Sequence, residues 1–213
     1  MTENHPISNG FIPKSARVLI VGTFPPKKEY TEKQSGFFFY SSERNQFWNR
    51  IDNIKHAHLK KTQHKNAEES FIENKRRKEI FSVENKLGFI DVFSSIKRKS
   101  DSANDSDLVP IENIIQNGKL IQILKSNNIS RICCTYKLAY DCLKCNLGSL
   151  SKNVTITVSK DSANGEIIHF VFDNRKIELI LLYPATRSRH KGSEKDLQYK
   201  KYLFEWKPAL NSK

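Results

Sequence analysis

The chain has 213 residues, enough for one well-buried core but short of two full domains. At 38% hydrophobic and 10% aromatic it is expected to fold, and no run approaches the roughly 18 apolar residues of a membrane span. Thirty-six Lys and Arg against 23 Asp and Glu leave a net charge of +13, which points to a polyanionic partner over a merely Lys-rich surface.

The opening Met-Thr-Glu-Asn-His-Pro has neither the basic nor the apolar region of a signal peptide, so the chain is expected in the cytoplasm with no membrane attachment. RVLIVG (17–22) is short, apolar and β-branched, and predicts a buried strand running into a loop at Thr23-Phe24-Pro25-Pro26. NQFWNRIDNI predicts a helix with Phe47, Trp48, Ile51 and Ile54 on its buried side. Residues 55–80 are polar and strongly basic, and read as a solvated helix pair or a mobile insertion in an otherwise single domain spanning 1–213. His56, His58 and His64 lie in that stretch without matching acidic or Cys ligands, so no metal is expected there.

KLGFIDVFSSI (86–96) predicts a strand or extended segment, and IENIIQNGKLIQILKSNN a helix carried through Gly118. RICCTY (131–136) predicts a second buried strand and KLAYDCLKC the helix after it. TITVS, IIHFVFD and KIELILLYP predict further strands, the first two joined by a turn at Ala163-Asn164-Gly165. KDLQYKKYLFEWKPAL predicts an amphipathic C-terminal helix. Of the four cysteines, Cys142 and Cys145 form a C-x-x-C with no second ligand pair nearby, and Cys133 and Cys134 sit in an apolar run. All four read as reduced structural residues.

Strands alternating with helices imply an α/β fold with a mainly parallel sheet, and sites in such folds lie at the carboxyl ends of strands. Two loops therefore matter most: GTFPP after RVLIV, and YPATRSRH after KIELILL. GTFPP is too proline-rich for a phosphate-cradling loop and lacks its Lys-Ser/Thr. Gly22 permits close approach of backbone to a ligand. Phe37, Phe38, Phe39 and Tyr40 follow, then Asn45 at a helix opening. A rigid backbone loop, an aromatic face with an amide, and a basic hydroxyl-rich turn together suit a nucleobase held by stacking with its backbone gripped nearby.

V-G-T-F-P-P followed by F-F-Y-S-S-E-R-N-Q-F-W resembles the first motif region of the uracil-DNA glycosylase superfamily, nearest its mismatch-specific uracil and hypoxanthine branches. G-F-I-D-V-F-S-S-I-K-R-K-S-D-S-A resembles the segment after the second helix in the hypoxanthine branch. Y-P-A-T-R-S-R-H falls where the superfamily carries its second motif, a Pro-containing loop that enters DNA. The resemblance covers most of residues 17–190. It implies a three-layer α/β/α fold and a monofunctional DNA glycosylase that removes uracil or hypoxanthine from DNA in base-excision repair. The expected partner is DNA containing a damaged or mispaired base, with the protein acting as a monomer without cofactor or metal.

Carried over by position, the resemblance makes Tyr40 the ring that stacks on the extruded base and Asn45 the amide that orients the attacking water. Asp91 corresponds to a carboxylate that some branches use on that water, although an Asp at a strand end also serves as a cap or turn. Gly22, Thr23, Phe24 and Pro25 would line the base pocket. Pro184, Ala185, Thr186, Arg187, Ser188, Arg189 and His190 would form the DNA-binding loop. Phe37, Phe38, Phe39 and Trp48 are expected in the core. The sequence departs from the family pattern at Pro26, where a Gly is common, and at T-Y-K around Tyr136, where relatives carry an Asn that reads the base. Loss of cleavage would leave a nucleic-acid-binding protein on the same fold. A hydrolase of free nucleosides is the remaining reading, and it would have no use for +13.

Overall fold

The computed structural model describes residues 2–27, 38–41, 45–57, 59, 67–100, 105–184 and 192–205. In chain order the strands are β1 (Thr2–Asn4), β2 (Val18–Gly22), β3 (Leu87–Asp91), β4 (Phe93–Arg98), β5 (Leu108–Asn113), β6 (Arg131–Cys134), β7 (Val154–Val158), β8 (Glu166–Phe172) and β9 (Arg175–Leu181). The helices are α1 (Phe47–Lys55), α2 (Ala67–Glu84), α3 (Lys119–Ser126), α4 (Lys137–Asn146) and α5 (Gly192–Tyr199), the last continuing into a π turn over Lys200–Phe204.

The main sheet has the order β3-β2-β6-β9-β8-β7. Its first four strands pair in parallel, while β8 and β7 are added by antiparallel ladders. The expectation of a mainly parallel sheet holds for these four strands, while the antiparallel β8 and β7 make the sheet as a whole mixed. The cause is local: Asp173 and Asn174, at φ 48° and 60°, make a two-residue turn between β8 and β9, too short for a crossover. Gly165, at φ 77°, closes the β7–β8 connection where a turn is expected, with Ser159 N–H donating to its carbonyl at 2.8 Å.

The central strands are buried on both faces, and the alternation of their side chains splits the core in two. Leu19, Val21, Ile132 and Cys134 pack with Leu120, Leu124, Tyr140 and Leu143 of α3 and α4. Val18, Ile20, Phe89 and Cys133 pack with Phe47, Trp48, Phe81, Tyr199 and Tyr202 of α1, α2, α5 and the π turn. Helices thus cover both faces, giving three layers. Phe38, Phe39, Phe47 and Trp48 are all buried around Phe89, and the Trp48 indole donates to the Phe39 carbonyl at 2.8 Å. Phe37 lies outside the described residues.

A second, three-stranded antiparallel sheet has the order β1-β4-β5. Its presence corrects two sequence expectations. The 86–96 run is two strands rather than one, breaking at Val92, where the chain leaves the main sheet for the small one. Residues 111–113, expected to begin a helix, instead end the edge strand β5. Pro110 is tolerated on that edge because no ladder bond is needed from it there. Asn113 Oδ1 accepts the N–H groups of Ile115 and Gln116 at 3.0 and 2.9 Å, so the chain turns, and α3 begins only after Gly118 at φ 71°.

Candidate functional site

The parallel strands β2, β3 and β6 deliver Gly22, Asp91 and the Thr135-Tyr136 pair to one edge, Gly22 standing in register with Asp91. A Cβ on Gly22 would lie 2.2 Å from Asp91 Oδ1 and 2.9 Å from the Tyr40 hydroxyl. Only glycine lets these two groups close over the strand end.

Asp91 is buried, and its Oδ2 lies 2.9 Å from His5 Nε2. His5 Nδ1 accepts the Ile7 N–H at 3.0 Å, so that nitrogen bears no proton and Nε2–H is the donor to Asp91. The imidazole is itself buried, stacked on Phe39 at 5.9 Å and meeting the edge of Phe24 at 5.2 Å. A backbone amide, a histidine and a carboxylate thus form one directed chain, aimed so that the other oxygen, Oδ1, faces Gly22.

Tyr40 adopts φ 59°, which swings its ring back onto Phe47 with centroids 4.6 Å apart and planes 24° from parallel. Thr135 directs its hydroxyl at the Val21 carbonyl (3.4 Å), leaving Tyr40 to donate to Thr135 Oγ1 at 3.0 Å. Burial raises the phenol's pKa well above its ordinary value, and the Asp91 charge adds to the effect.

Asn45 is engaged at both ends of its amide. Oδ1 accepts the Phe47 N–H at 2.9 Å, an Asx turn leading into α1, and Nδ2 donates to the Tyr136 hydroxyl at 3.1 Å. One amide hydrogen and one lone pair are left for a further partner. Burial, with Asp105 and Asp91 next in weight, pushes the Tyr136 phenol up to about 12.

Thr23 is buried and donates through Oγ1 to Asp105 Oδ1 at 2.8 Å. Burial raises the Asp105 carboxyl above the usual range; the Thr23 bond opposes that rise and the Asp91 charge reinforces it. Phe24 turns into the core, where it meets His5 and lies under the Arg98 guanidinium at 5.6 Å. Pro25 offers its carbonyl to Arg98 at 2.6 Å. The motif loop is therefore lined toward the site by Gly22 and Thr23, with Phe24 and Pro25 anchoring it from behind.

At the end of β9 the Tyr183 carbonyl accepts the Tyr199 hydroxyl at 3.0 Å, and the Pro184 carbonyl accepts from the buried Lys195 at 3.5 Å. Ala185, Thr186, Arg187, Ser188, Arg189 and His190 lie outside the described residues.

Sequence reasoning gives no role to His5, Thr135 or Asp105, and meets Tyr136 only as a departure where relatives carry a base-reading Asn. Tyr136 was within reach, as the residue after a buried strand. Asp105 stands among other acids in K-S-D-S-A-N-D-S-D, which blurs it, and nothing in the local sequence marks His5.

No protein-family model and no curated protein matches the sequence. In fold, the chain is similar to the NMR structure of a candidate uracil DNA glycosylase from Methanosarcina acetivorans, with a TM-score of 0.53, 17% identity, and coverage of 93% of this chain and 95% of that one. At that identity the likeness is one of architecture. Among the described residues, no group of His, Cys, Asp and Glu is arranged to hold a metal ion, and no helix is long and apolar enough to cross a membrane.

Proposed function

We propose that this protein is a monofunctional DNA glycosylase that hydrolyses the N-glycosidic bond of a deaminated base, uracil or hypoxanthine, flipped out of DNA. The observation that carries the reading is the closure of Asp91 and Tyr40 over Gly22 at the carboxyl edge of the parallel strands, with Asn45 bonded to Tyr136 at the neighbouring strand end. The candidate glycosylase named above shares the fold, which is consistent with the same class.

Removing the base leaves an oxocarbenium-like sugar, and hydrolysis then needs a water oriented toward its C1′ and relieved of a proton. Asp91 Oδ1 is the base on that water in this reading, because His5 holds the other oxygen. Asn45, committed on one side to its helix, steers the water through its remaining amide hydrogen. Phe47 backs one face of Tyr40, and the opposite face is the stacking surface for the extruded base. The 184–190 loop enters the DNA, supported at its base by Tyr199 and Lys195. The basic stretch at about 55–80 adds grip to a single domain that acts as a monomer.

The test uses oligonucleotides, single- and double-stranded, bearing uracil, hypoxanthine or xanthine, followed by alkali and measurement of strand scission. Asp91→Asn should lower cleavage at least ~100-fold, the usual scale for losing a general base. Asn45→Ala should lower it less, and Asn45→Asp, which keeps the acceptor for the Phe47 N–H, separates water steering from helix support. Scission no greater than in buffer for every lesion sinks the enzyme reading and leaves a non-catalytic nucleic-acid-binding protein.

A further inference from the structure

The site holds a second carboxyl group for which hydrolysis by Asp91 alone has no use. Asp105 sits on the short 3-10 turn (105–107) that ends the β4–β5 connection. That turn is tied down by the Lys99 N–H to the Asp107 carbonyl and by the Ser100 hydroxyl to Asp107 Oδ2, each at 2.9 Å. It is brought against the motif loop, where Thr23 donates to Asp105 Oδ1 at 2.8 Å, next in sequence to the glycine that receives Asp91. The two carboxyl groups therefore abut consecutive residues of one loop. The groups facing this position are Asp91 at the end of β3, Thr23 on the motif loop and Tyr136 after β6. Among the described residues, no Lys or Arg pairs with either carboxylate, and His5 meets Asp91 through Nε2 with its Nδ1 taken by the Ile7 N–H.

A departing anionic base would meet two negative carboxylates here if both were ionised. It would meet a proton donor if one were not. We propose that Asp105 is the acid that protonates the departing base, and that the site is accordingly built for purines carrying a basic ring nitrogen rather than for bases that leave as stable anions. This rests on the glycosylase reading above and assigns the other half of its proton balance. As the C1′–N bond breaks, its electron pair goes to the base, and the Asp105 proton passes to a purine ring nitrogen. The water oxygen bonds to C1′ and its proton passes to Asp91. One carboxyl loses a proton, the other gains one, and no further reactant is needed. Burial and the neighbouring Asp91 charge both hold Asp105 toward its protonated form, while the Thr23 hydroxyl limits that tendency.

The test is a leaving-group comparison with the full chain. Asp105→Asn is assayed in single turnover on duplexes carrying hypoxanthine, uracil or 5-fluorouracil, the last two leaving as increasingly stable anions. The expected result is a loss of roughly 100-fold or more on hypoxanthine, shrinking to a few-fold on 5-fluorouracil. Thr23→Val provides a milder probe. Without the hydroxyl that favours the carboxylate, the alkaline limb of the hypoxanthine rate profile should move to higher pH. Equal losses on all three bases would overturn the proposal, as would an unmoved alkaline limb in Thr23→Val. Wild-type cleavage of uracil without hypoxanthine would also overturn it while leaving the glycosylase reading standing. No cleavage of any base by wild type would remove that reading, and this proposal with it.

Discussion

His5 reaches Asp91 from the far end of the chain, 86 residues away, and every contact it makes serves to orient it. Its Nδ1 is occupied by a backbone amide and its faces by Phe24 and Phe39, so the ring has one direction in which to donate. A carboxylate held at one oxygen presents the other in a fixed position, the requirement for a group that must take a proton from a single water. His5→Ala should therefore lower kcat about 10-fold or more with little change in KM, and His5→Gln, whose amide still donates, should recover part of the loss. Equal changes in kcat and KM, or no recovery with Gln, would make His5 a packing residue only. Asp91, Tyr40 and Asn45 were legible in the sequence because they belong to continuous motifs whose local order survives folding. His5, Thr135, Tyr136 and Asp105 reach the site from separate strands and a turn, and only the sheet order places them. Asn45 shows the limit of motif reading, since half of its amide is spent on the Asx turn that leads into α1.

At the scale of elements, the small sheet is what the sequence concealed. Its strands are short, half-exposed and interrupted by Pro110, so they lack the continuous apolar runs that disclose β2, β6 and β9. Yet it supplies the support for the motif loop. β1 leads to His5, the β4–β5 connection carries Asp105, and Arg98 of β4 binds the Pro25 carbonyl while pairing with Glu3 at 3.0 Å. That pair is largely buried, with 5% and 14% of the two side chains exposed. Arg98→Ala breaks this pair and the Pro25 contact together, so it should cost about 2–4 kcal/mol in urea unfolding. Replacing both, as Arg98→Met with Glu3→Gln, should restore most of the stability, because a buried ion pair and a neutral substitute differ little. Cleavage should stay low in both variants, since neither holds Pro25. Full activity in the double variant would mean that the small sheet does not govern the motif loop.

At the scale of the whole molecule, the charge is distributed unevenly between structure and surplus. Several acids are spent on partners within the fold, as in Arg131–Glu178, Arg50–Asp196 and Lys144–Glu166, so the +13 resides in Lys and Arg in excess of available carboxylates. Such a surplus destabilises a compact chain by self-repulsion unless a polyanion relieves it, and duplex DNA does so by releasing condensed counterions. Arg187 and Arg189, of the proposed DNA-binding segment 184–190, would add to this. If about four phosphates are neutralised, log K should fall against log salt with a slope of about −3.6, a loss of roughly 100-fold between ~50 and ~200 mM. Fluorescence anisotropy with a lesion-free duplex measures this directly, because the electrostatic part of binding is independent of sequence. Arg187→Ala and Arg189→Ala should each reduce the slope by about one if both grip phosphate. A flat salt dependence would mean that the excess charge faces solvent. A steep slope unchanged by either substitution would move the DNA contact to other basic residues, the 55–80 stretch first among them.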